Sequence, residues 1–598
     1  MNWILVDIGS VQTKVTLVNK NEIWDLLASA KSETTIETNE KTALNGVKKL
    51  IDEVLNETGK TIEDVDKVLI GSTAGGGLQM VVAGVVRTMT AESANRAALG
   101  SGAVVVDIVN GGSPVRQPER LAQFKNSKPD IILLAGGTEG GNEKQVLGLA
   151  ETINAAKPQT RWEDEYSSVV FAGNSEVRED VLNFLDSKID VKIAENIRPE
   201  LEYEQIETIN ETIQDLYIKK VVKNVSGFNE LGELYNCEIQ PLVPNMKRFV
   251  DKYSVHNNIN TLIFDVGGFT TDVYSSIEYI RREYKRAIKD GGEKINTGVG
   301  VVKERKSFVS VSADAGMNYS APRLLEKVGL SKIINWTEGM NEKQMLNSSF
   351  KRMTHPLDKD IYNDGLNRAL TAGALEIGFV EHQEIASKLH GVGIVRSMNE
   401  TFTQEATSEG TLAEWEAFDK VILTGGAISQ FDYKGIIQIF NDSLQPNGLI
   451  NLAIDKEDYL SQLVLNDNLD ESYLELIDNQ LLNVATIIAP KVIDALLIRN
   501  IATITLESEN ETKTFDLIKN EIEFVNIKGN KVKVTISPHK KVDFGAGFGK
   551  PIKREIDNSI YGFILDGRRP ISDEFSKINI DEWYGKDFNH LKRGGVSE

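Results

Sequence analysis

The chain has 598 residues, 41% of them hydrophobic, enough for several domains with packed cores. Against 67 Lys plus Arg stand 88 Asp plus Glu, a net charge of -21, which excludes a broad phosphate-neutralising surface and points away from nucleic acid and anionic membranes, toward small molecules and proteins. The single cysteine, Cys237, excludes an internal disulfide, a four-thiolate zinc site and a self-contained iron–sulfur cluster, and suits a reducing, cytoplasmic setting.

The first ten residues, MNWILVDIGS, lack a basic region ahead of the apolar ones and carry Asp7 where a signal peptide stays apolar. Nor is there an uncharged apolar run of about 18 residues, so no membrane span is expected. Up to about Ile193, short β-branched runs alternate with amphipathic stretches, the habit of an α/β domain. Strands are predicted at 3–6, 14–18, 68–70, 103–107, 131–135 and 169–172. Helical spacing of Leu44, Val47, Leu50, Ile51, Val54 and Leu55 predicts a helix packed on a sheet, and residues 142–156 predict another. A Glu-rich stretch follows with Ile206, Ile209, Ile213 and Leu216 on one face, read as an exposed connecting helix. A second α/β unit is expected over 260–499, with a long helix around 365–389. Beyond it, alternation of apolar and polar residues around the turn Lys528-Gly529-Asn530 predicts a small β domain. Its Gly-rich and then basic end reads as a linker, lid or docking edge. The expected domains are 1–225, 226–500 with an inserted subdomain, and 501–598.

Two stretches share one design. ILVDIGSVQTKVTLV (4–18) and LIFDVGGFTTDVYSS (262–276) each read as an apolar strand, an Asp, a Gly-containing turn with hydroxyls, and a second apolar strand. A nucleotide's phosphates need backbone N–H donors pointing inward, and glycine lets the backbone approach: Gly9 in the first stretch, Gly267 and Gly268 in the second. Hydroxyls of Ser10, Thr13, Thr270 and Thr271 add donors, and Lys14 adds a positive charge. Asp7 and Asp265, at the ends of buried strands, are costly to hold ionised without a cation. Two facing aspartates around one Mg²⁺–nucleotide is a chemically sensible count, since magnesium favours few carboxylates and keeps waters. Their separation in sequence implies that the hairpins belong to different domains, closing on the ligand from opposite sides.

Together with VILTGGA (421–427), the two hairpins resemble the phosphate 1, phosphate 2 and adenosine motifs of the actin, sugar kinase and heat-shock chaperone ATPase superfamily. The resemblance implies two ribonuclease-H-like domains around a nucleotide cleft, with Gly425, Gly426 and Ala427 against the adenosine. A closer resemblance is carried by STAGGGLQMVVAG (72–84), ILLAGGTEGGNEKQVL (132–147), VSADAGMNYSAPRLLEKVG (311–329) and GAGFGKPIKREIDNSIYGFILDGRRP (545–570). These are similar to the glutamate mutase L family, which implies an accessory or reactivating protein of adenosylcobalamin-dependent mutases. Where the family pattern has an acidic Gly-Asp pair, this chain has Ala313-Asp314-Ala315-Gly316, so only Asp314 and Gly316 carry over.

The loop 136–141 lacks the P-loop spacing and reads equally as a nucleotide contact or a packed turn. His382 and His390, near Glu376, Glu381 and Glu384, lack the H-E-x-x-H spacing and read as a polar helix face. In KLHGVG (388–393), Lys388 stands where a cobalamin-ligating histidine needs an orienting carboxylate, so the cofactor is not expected to be held there.

The expected function is an ATPase in which Mg²⁺ and Lys14 stabilise phosphate charge and Asp265 or Asp272 positions the attacking water. Its nucleotide state would drive a chaperone acting on a mutase: glutamate mutase, ornithine aminomutase or lysine aminomutase. A homo-oligomer or a small partner subunit is allowed for. The alternatives are a small-molecule kinase of the same superfamily, a dehydratase activator, disfavoured by the lone cysteine, and a filament-forming actin relative.

Overall fold

In this computed structural model, residues 1–569 are described except 38–40, 75–77, 113–114, 142, 163–164, 201–202, 207–208, 218, 221–223, 289–293, 334–339, 357–363, 388–409 and 495–496. The glycines 75–77, the stretch containing His390 and the chain beyond 569 lie outside the described residues.

The chain opens with β1 (Asn2–Ile8), antiparallel to β2 (Gln12–Lys20), which pairs with β3 (Trp24–Glu33). Alternation sends Ile4, Val6 and Ile8 into one core and Leu5 into another, so both sheet faces are covered. The helix Ala43–Glu57, capped by Thr42, buries Val47, Leu50, Ile51 and Val54 against the sheet. β4 (Lys67–Ser72) then pairs parallel to β1.

An insertion follows. Five parallel strands, β5 (Leu78–Gly84), β6 (Ala103–Asn110), β7 (Ile131–Ala135), β8 (Ser168–Phe171) and β9 (Val191–Ile193), form a separate sheet in the order β6-β5-β7-β8-β9. This is the doubly wound order of flavodoxin-like sheets. After it, β10 (Ile239–Pro241) returns beside β4, completing a sheet ordered β3-β2-β1-β4-β10.

The second half repeats that order. β11 (Thr261–Val266), β12 (Thr271–Ile288) and β13 (Lys294–Ser312) are successively antiparallel, and β14 (Lys420–Thr424) and β15 (Gly448–Ile454) add parallel strands on the other side of β11. This sheet continues through β16 (Leu482–Ala489). After the short β17 (Val492–Ile493), the chain forms β18 (Asn500–Glu507), β19 (Thr512–Ile518), β20 (Ile522–Val525), β21 (Lys531–Pro538), β22 (Val542–Asp543), β23 (Ile552–Asp557) and β24 (Phe563–Asp566). β24 and β20 close the large sheet as β13-β12-β11-β14-β15-β16-β24-β20, while β19-β18-β21-β23 form a four-stranded sheet. The architecture is thus α/β, two ribonuclease-H-like, actin-like units with a β-rich C-terminal region. Between the two main sheets, Phe249 and Tyr253 of the helix Leu242–Asn257, with Leu460, Leu463 and Tyr473, pack against Leu5 and Val18 on one side and Ile263 and Ile422 on the other.

The sheets divide differently from the expected boundaries. Strand pairing crosses 225/226, because β10 belongs to the first sheet, and crosses 500/501, because β20 and β24 belong to the second. The inserted sheet also lies in the first half. Ile209, Ile213 and Leu216, expected on an exposed connector, are buried in the first unit's core, and the helix there spans Asn210–Tyr217. The basic Arg568 and Arg569 are no docking edge: both are buried, paired with Asp566, whose carboxyl burial raises but their charges hold well below the usual range.

Candidate functional site

The two aspartate hairpins have the same register. Asp7 lies opposite Lys14 across β1 and β2, and Asp265 lies opposite Asp272 across β11 and β12. Gly9 N donates to Gln12 O at 3.0 Å in one turn, and Gly267 N donates to Thr270 O at 2.9 Å in the other. The tips meet: a Cβ on Gly268 would lie 2.3 Å from Val11 Cγ2, so only glycine lets the hairpins approach this closely. The carbonyl of Gly268 accepts from Asn318 N and Tyr319 N, and that of Gly267 from Met317 N, so this turn's acceptors are spent on the neighbouring loop.

β14 supplies the third wall. Gly425 has φ +99°, and a Cβ there would stand 2.5 Å from Asp265 Oδ1, so glycine is required both by conformation and by space. The fourth wall, not anticipated from sequence, is the loop after β15. Asp458 Oδ2 sits 2.6 Å from Lys14 Nζ, and Asp7 Oδ2 sits 3.2 Å from the same nitrogen. Ser461 Oγ donates to Asp7 Oδ2 at 2.8 Å, and Asp455 accepts from Thr424 Oγ1 and from the N–H groups of Tyr459 and Leu460. No motif marks Asp458, which stands in the charged run Asp455-Lys456-Glu457-Asp458.

The cluster is rich in negative charge. Burial pushes the Asp7 carboxyl up in spite of Lys14, and burial together with Asp272 and Asp458 pushes Asp265 well up. Burial raises Asp272 to about 7, and burial with Asp458 raises Asp455 to about 6. For Lys14, burial opposes the charge, but Asp458 and Asp7 outweigh it and hold the ammonium above its usual value. Asp7 Oδ1, Asp272 Oδ1 and Asp458 Oδ1 are buried without hydrogen-bond partners. Orphaned oxygens on the two carboxylates that flank Lys14, with a third on Asp272 of the same cleft, are the chemistry of a site that takes a further cation. Among the described residues no three acidic, imidazole or thiolate groups form a metal site by themselves. A divalent ion here would therefore draw part of its shell from phosphates and water, as magnesium does.

The cleft is lined by Asp7, Gly9, Ser10, Lys14, Asp265, Gly267, Gly268, Thr270, Asp272, Gly426 and Ala427. Its cavity volume is about 150 Å³, whereas ligand pockets run to roughly 300–1,000 Å³. A ligand as large as a triphosphate would require the hairpins to part. Thr13 and Thr271 are not brought to the cleft: each precedes a cleft-facing residue on its strand, and the pleat turns it inward. Thr13 Oγ1 meets Thr34 Oγ1 at 3.0 Å, and Thr271 Oγ1 donates to Ala315 O at 2.7 Å. Gly425 shapes the turn without lining the cleft. The loop 136–141 does not reach it either, since the Glu139 carboxylate accepts from Ser175 N and Asn196 Nδ2 on the inserted sheet's own rim. His382 is buried rather than on a polar face, with Ser310 Oγ at Nδ1 and Ser275 Oγ at Nε2, and burial lowers it to about 3.

Solved structures with a similar fold include an activator of 2-hydroxyisocaproyl-CoA dehydratase from Clostridium difficile with bound ADPNP, 9% identical over 80% of this chain and 96% of that one, TM-score 0.25. A diol dehydratase-reactivating factor in nucleotide-free form is 10% identical, with coverages of 74% and 94% and a TM-score of 0.24. A xylulose kinase from Lactobacillus acidophilus is 10% identical, with coverages of 80% and 91% and a TM-score of 0.26. With scores this low, the fold assignment stands on the strand order above. The curated relative "Protein MutL" of Clostridium tetanomorphum is 33% identical over 340 residues, 55% of this chain and 67% of that protein. The family model described as MutL protein matches residues 3–481, a span that holds both hairpins, the β14 turn and the Asp458 loop; the chain belongs to the MutL protein family.

Proposed function

We propose that the chain is an ATP-dependent reactivating factor: it hydrolyses ATP with Mg²⁺ in the cleft and uses the parting and closing of its two units to release damaged corrinoid from an adenosylcobalamin-dependent mutase. The observation that carries the nucleotide reading is the pair of facing hairpins with Lys14 and Asp272 at one shared register position. The client class rests on family resemblance.

Asp7 and Asp265 would hold the magnesium from opposite walls. The ion, when bound, supplies charge neutralisation for the phosphates. Backbone N–H groups of the Gly9 and Gly267–Gly268 turns bind phosphate oxygens, and Lys14 stabilises charge at the terminal phosphate. Asp272, raised to about 7 by burial, is matched to accept a proton from water at neutral pH. Gly426 and Ala427 bound the cleft where β14 ends and give the adenosine a flat backbone surface.

The test is to mix the chain with ATP, Mg²⁺ and inactivated glutamate mutase, ornithine aminomutase or lysine aminomutase, following corrinoid release by absorbance and ADP formation in parallel. Release from one of them with ADP formed in the absence of any acceptor supports the proposal. ADP formation that depends on a sugar or polyol and yields a phosphorylated product replaces it with a kinase.

A further inference from the structure

We propose that Asp458 is a positioning residue that competes with the nucleotide for Lys14, so that the lysine is handed to the terminal phosphate only when a divalent cation takes its place beside the carboxylates. The inference rests on the nucleotide reading of the cleft.

An ammonium has three N–H donors. In the present closed state, Lys14 Nζ faces Asp458 Oδ2 at 2.6 Å, Asp7 Oδ2 at 3.2 Å and Ser461 Oγ at 3.5 Å. Three protein oxygens thus surround the ammonium, two of them carboxylate oxygens that a phosphate would have to displace. Lys14 comes from β2 of the first unit, whereas Asp458 comes from the loop after β15 of the second and Ser461 from the short helix Leu460–Leu463 that follows it.

Asp458 is also held where it is. Its φ is +62°, left-handed for a residue with a side chain, a conformation that persists only where the surroundings fix it. They do so: Gln462 Nε2 donates to its carbonyl at 2.8 Å, and the loop is pinned at Asp455 by Tyr459 N, Leu460 N and Thr424 Oγ1. The backbone that carries the carboxylate is therefore anchored, which limits how far it can follow Lys14 toward a ligand.

Its side chain is 2% exposed, and its second oxygen, Oδ1, has no partner, as is true of Asp7 Oδ1. Taking Lys14 away leaves two buried carboxylates uncompensated, a costly state unless another cation arrives. Magnesium entering with the nucleotide supplies that charge; nucleotide alone does not. The arrangement makes lysine transfer and metal uptake a single coupled exchange, with Asp458 as the group that enforces the coupling.

The test is ATP affinity by calorimetry in EDTA and in Mg²⁺, on the full chain and on Asp458→Asn. Wild type is expected to bind far more tightly with Mg²⁺ than without. In the variant, metal-free affinity should rise by about tenfold, because the fraction of protein with a free lysine sets the apparent affinity, and the metal advantage should shrink accordingly. Asp458→Gly, which suits the left-handed backbone, serves if the amide fails to fold, and the same rise is expected. Asp458→Glu, keeping the charge, should restore the metal advantage. If a folded Asp458 variant without the carboxylate binds metal-free ATP no better than wild type, the proposal is wrong. If wild type takes up no ATP even with Mg²⁺, it is the nucleotide reading that fails.

Discussion

The two hairpins are built on one plan and charged differently. In both, an aspartate stands next to last on the first strand, a glycine closes the turn two residues later, and the aspartate's cross-strand neighbour faces the cleft. In the first unit that neighbour is Lys14; in the second it is Asp272. The repeated topology thus provides two equivalent positions, and one unit uses its position for a cation while the other uses it for a carboxylate with a pKa near neutrality. A duplicated backbone with unlike side chains at matched points gives one cleft a cationic wall and an acidic wall, which the proposed function assigns to charge stabilisation and proton acceptance.

The strongest way to break this comparison is Lys14→Met. It removes the ion pair that compensates Asp7 and Asp458, and a loss of about 3–5 kcal/mol in unfolding free energy is expected by denaturant titration. Turnover should fall by roughly 10²–10³-fold in the same protein. An unchanged midpoint would mean that the lysine is not the compensating charge.

Asp272→Asn is expected to separate the two halves further. Turnover should fall by about 10²–10⁴-fold, but stability should hold or improve. The sign follows from the raised pKa. Between the ordinary carboxylate value of 3.8 and about 7, the folded protein keeps a proton that the unfolded chain has released, so stability declines as pH rises through that window. The amide has no such decline, so wild type and variant should converge below pH 4 and diverge by pH 8. Parallel curves would remove Asp272 from its assigned role.

Gly268→Ala tests the tip contact. Pushing a methyl against Val11 should cost the closed form about 1–3 kcal/mol, read as faster ATP uptake through the parted tips. The double change with Val11→Ala should recover most of it; no recovery would mean that the tips do not limit closure. At neutral pH the smallest effect is expected at His382, the buried imidazole of the second unit, which acts only on the acid side. Its pKa falls from 6.5 to about 3, so the unfolded chain gains a proton first and stability falls as pH drops through that window, by at most about 1.4 kcal/mol per pH unit. His382→Gln should flatten the acid limb of the stability curve, and an unaltered limb would assign the acid sensitivity elsewhere.

The hairpins were legible because their chemistry is local: an Asp, a Gly turn and flanking β-branched strands lie within fifteen residues. The inserted sheet was not separable, since β6, β7 and β8 read as the same apolar strands that any α/β unit contains. Only the return of β10, three residues long, shows that they interrupt the first sheet. Burial of Ile209, Ile213 and Leu216 was masked by the acidic residues between them. Thr13 and Thr271 were assigned by composition, and strand pleating overrules composition. Asp458 had no sequence signal, because a site residue delivered by a loop nearly two hundred residues after the second hairpin is identified only by what it touches.

The narrowness of the cleft has a kinetic consequence. If the cleft takes a nucleotide as proposed, a pocket of about 150 Å³ requires Val11 and Gly268 to separate first, and uptake and loss would then follow the rate at which the jaws swing apart, below the diffusional ceiling. On the proposed function, a protein that wedges them open on docking would act as an exchange factor, and a client doing so would set the residence time of ADP and with it the length of each working cycle.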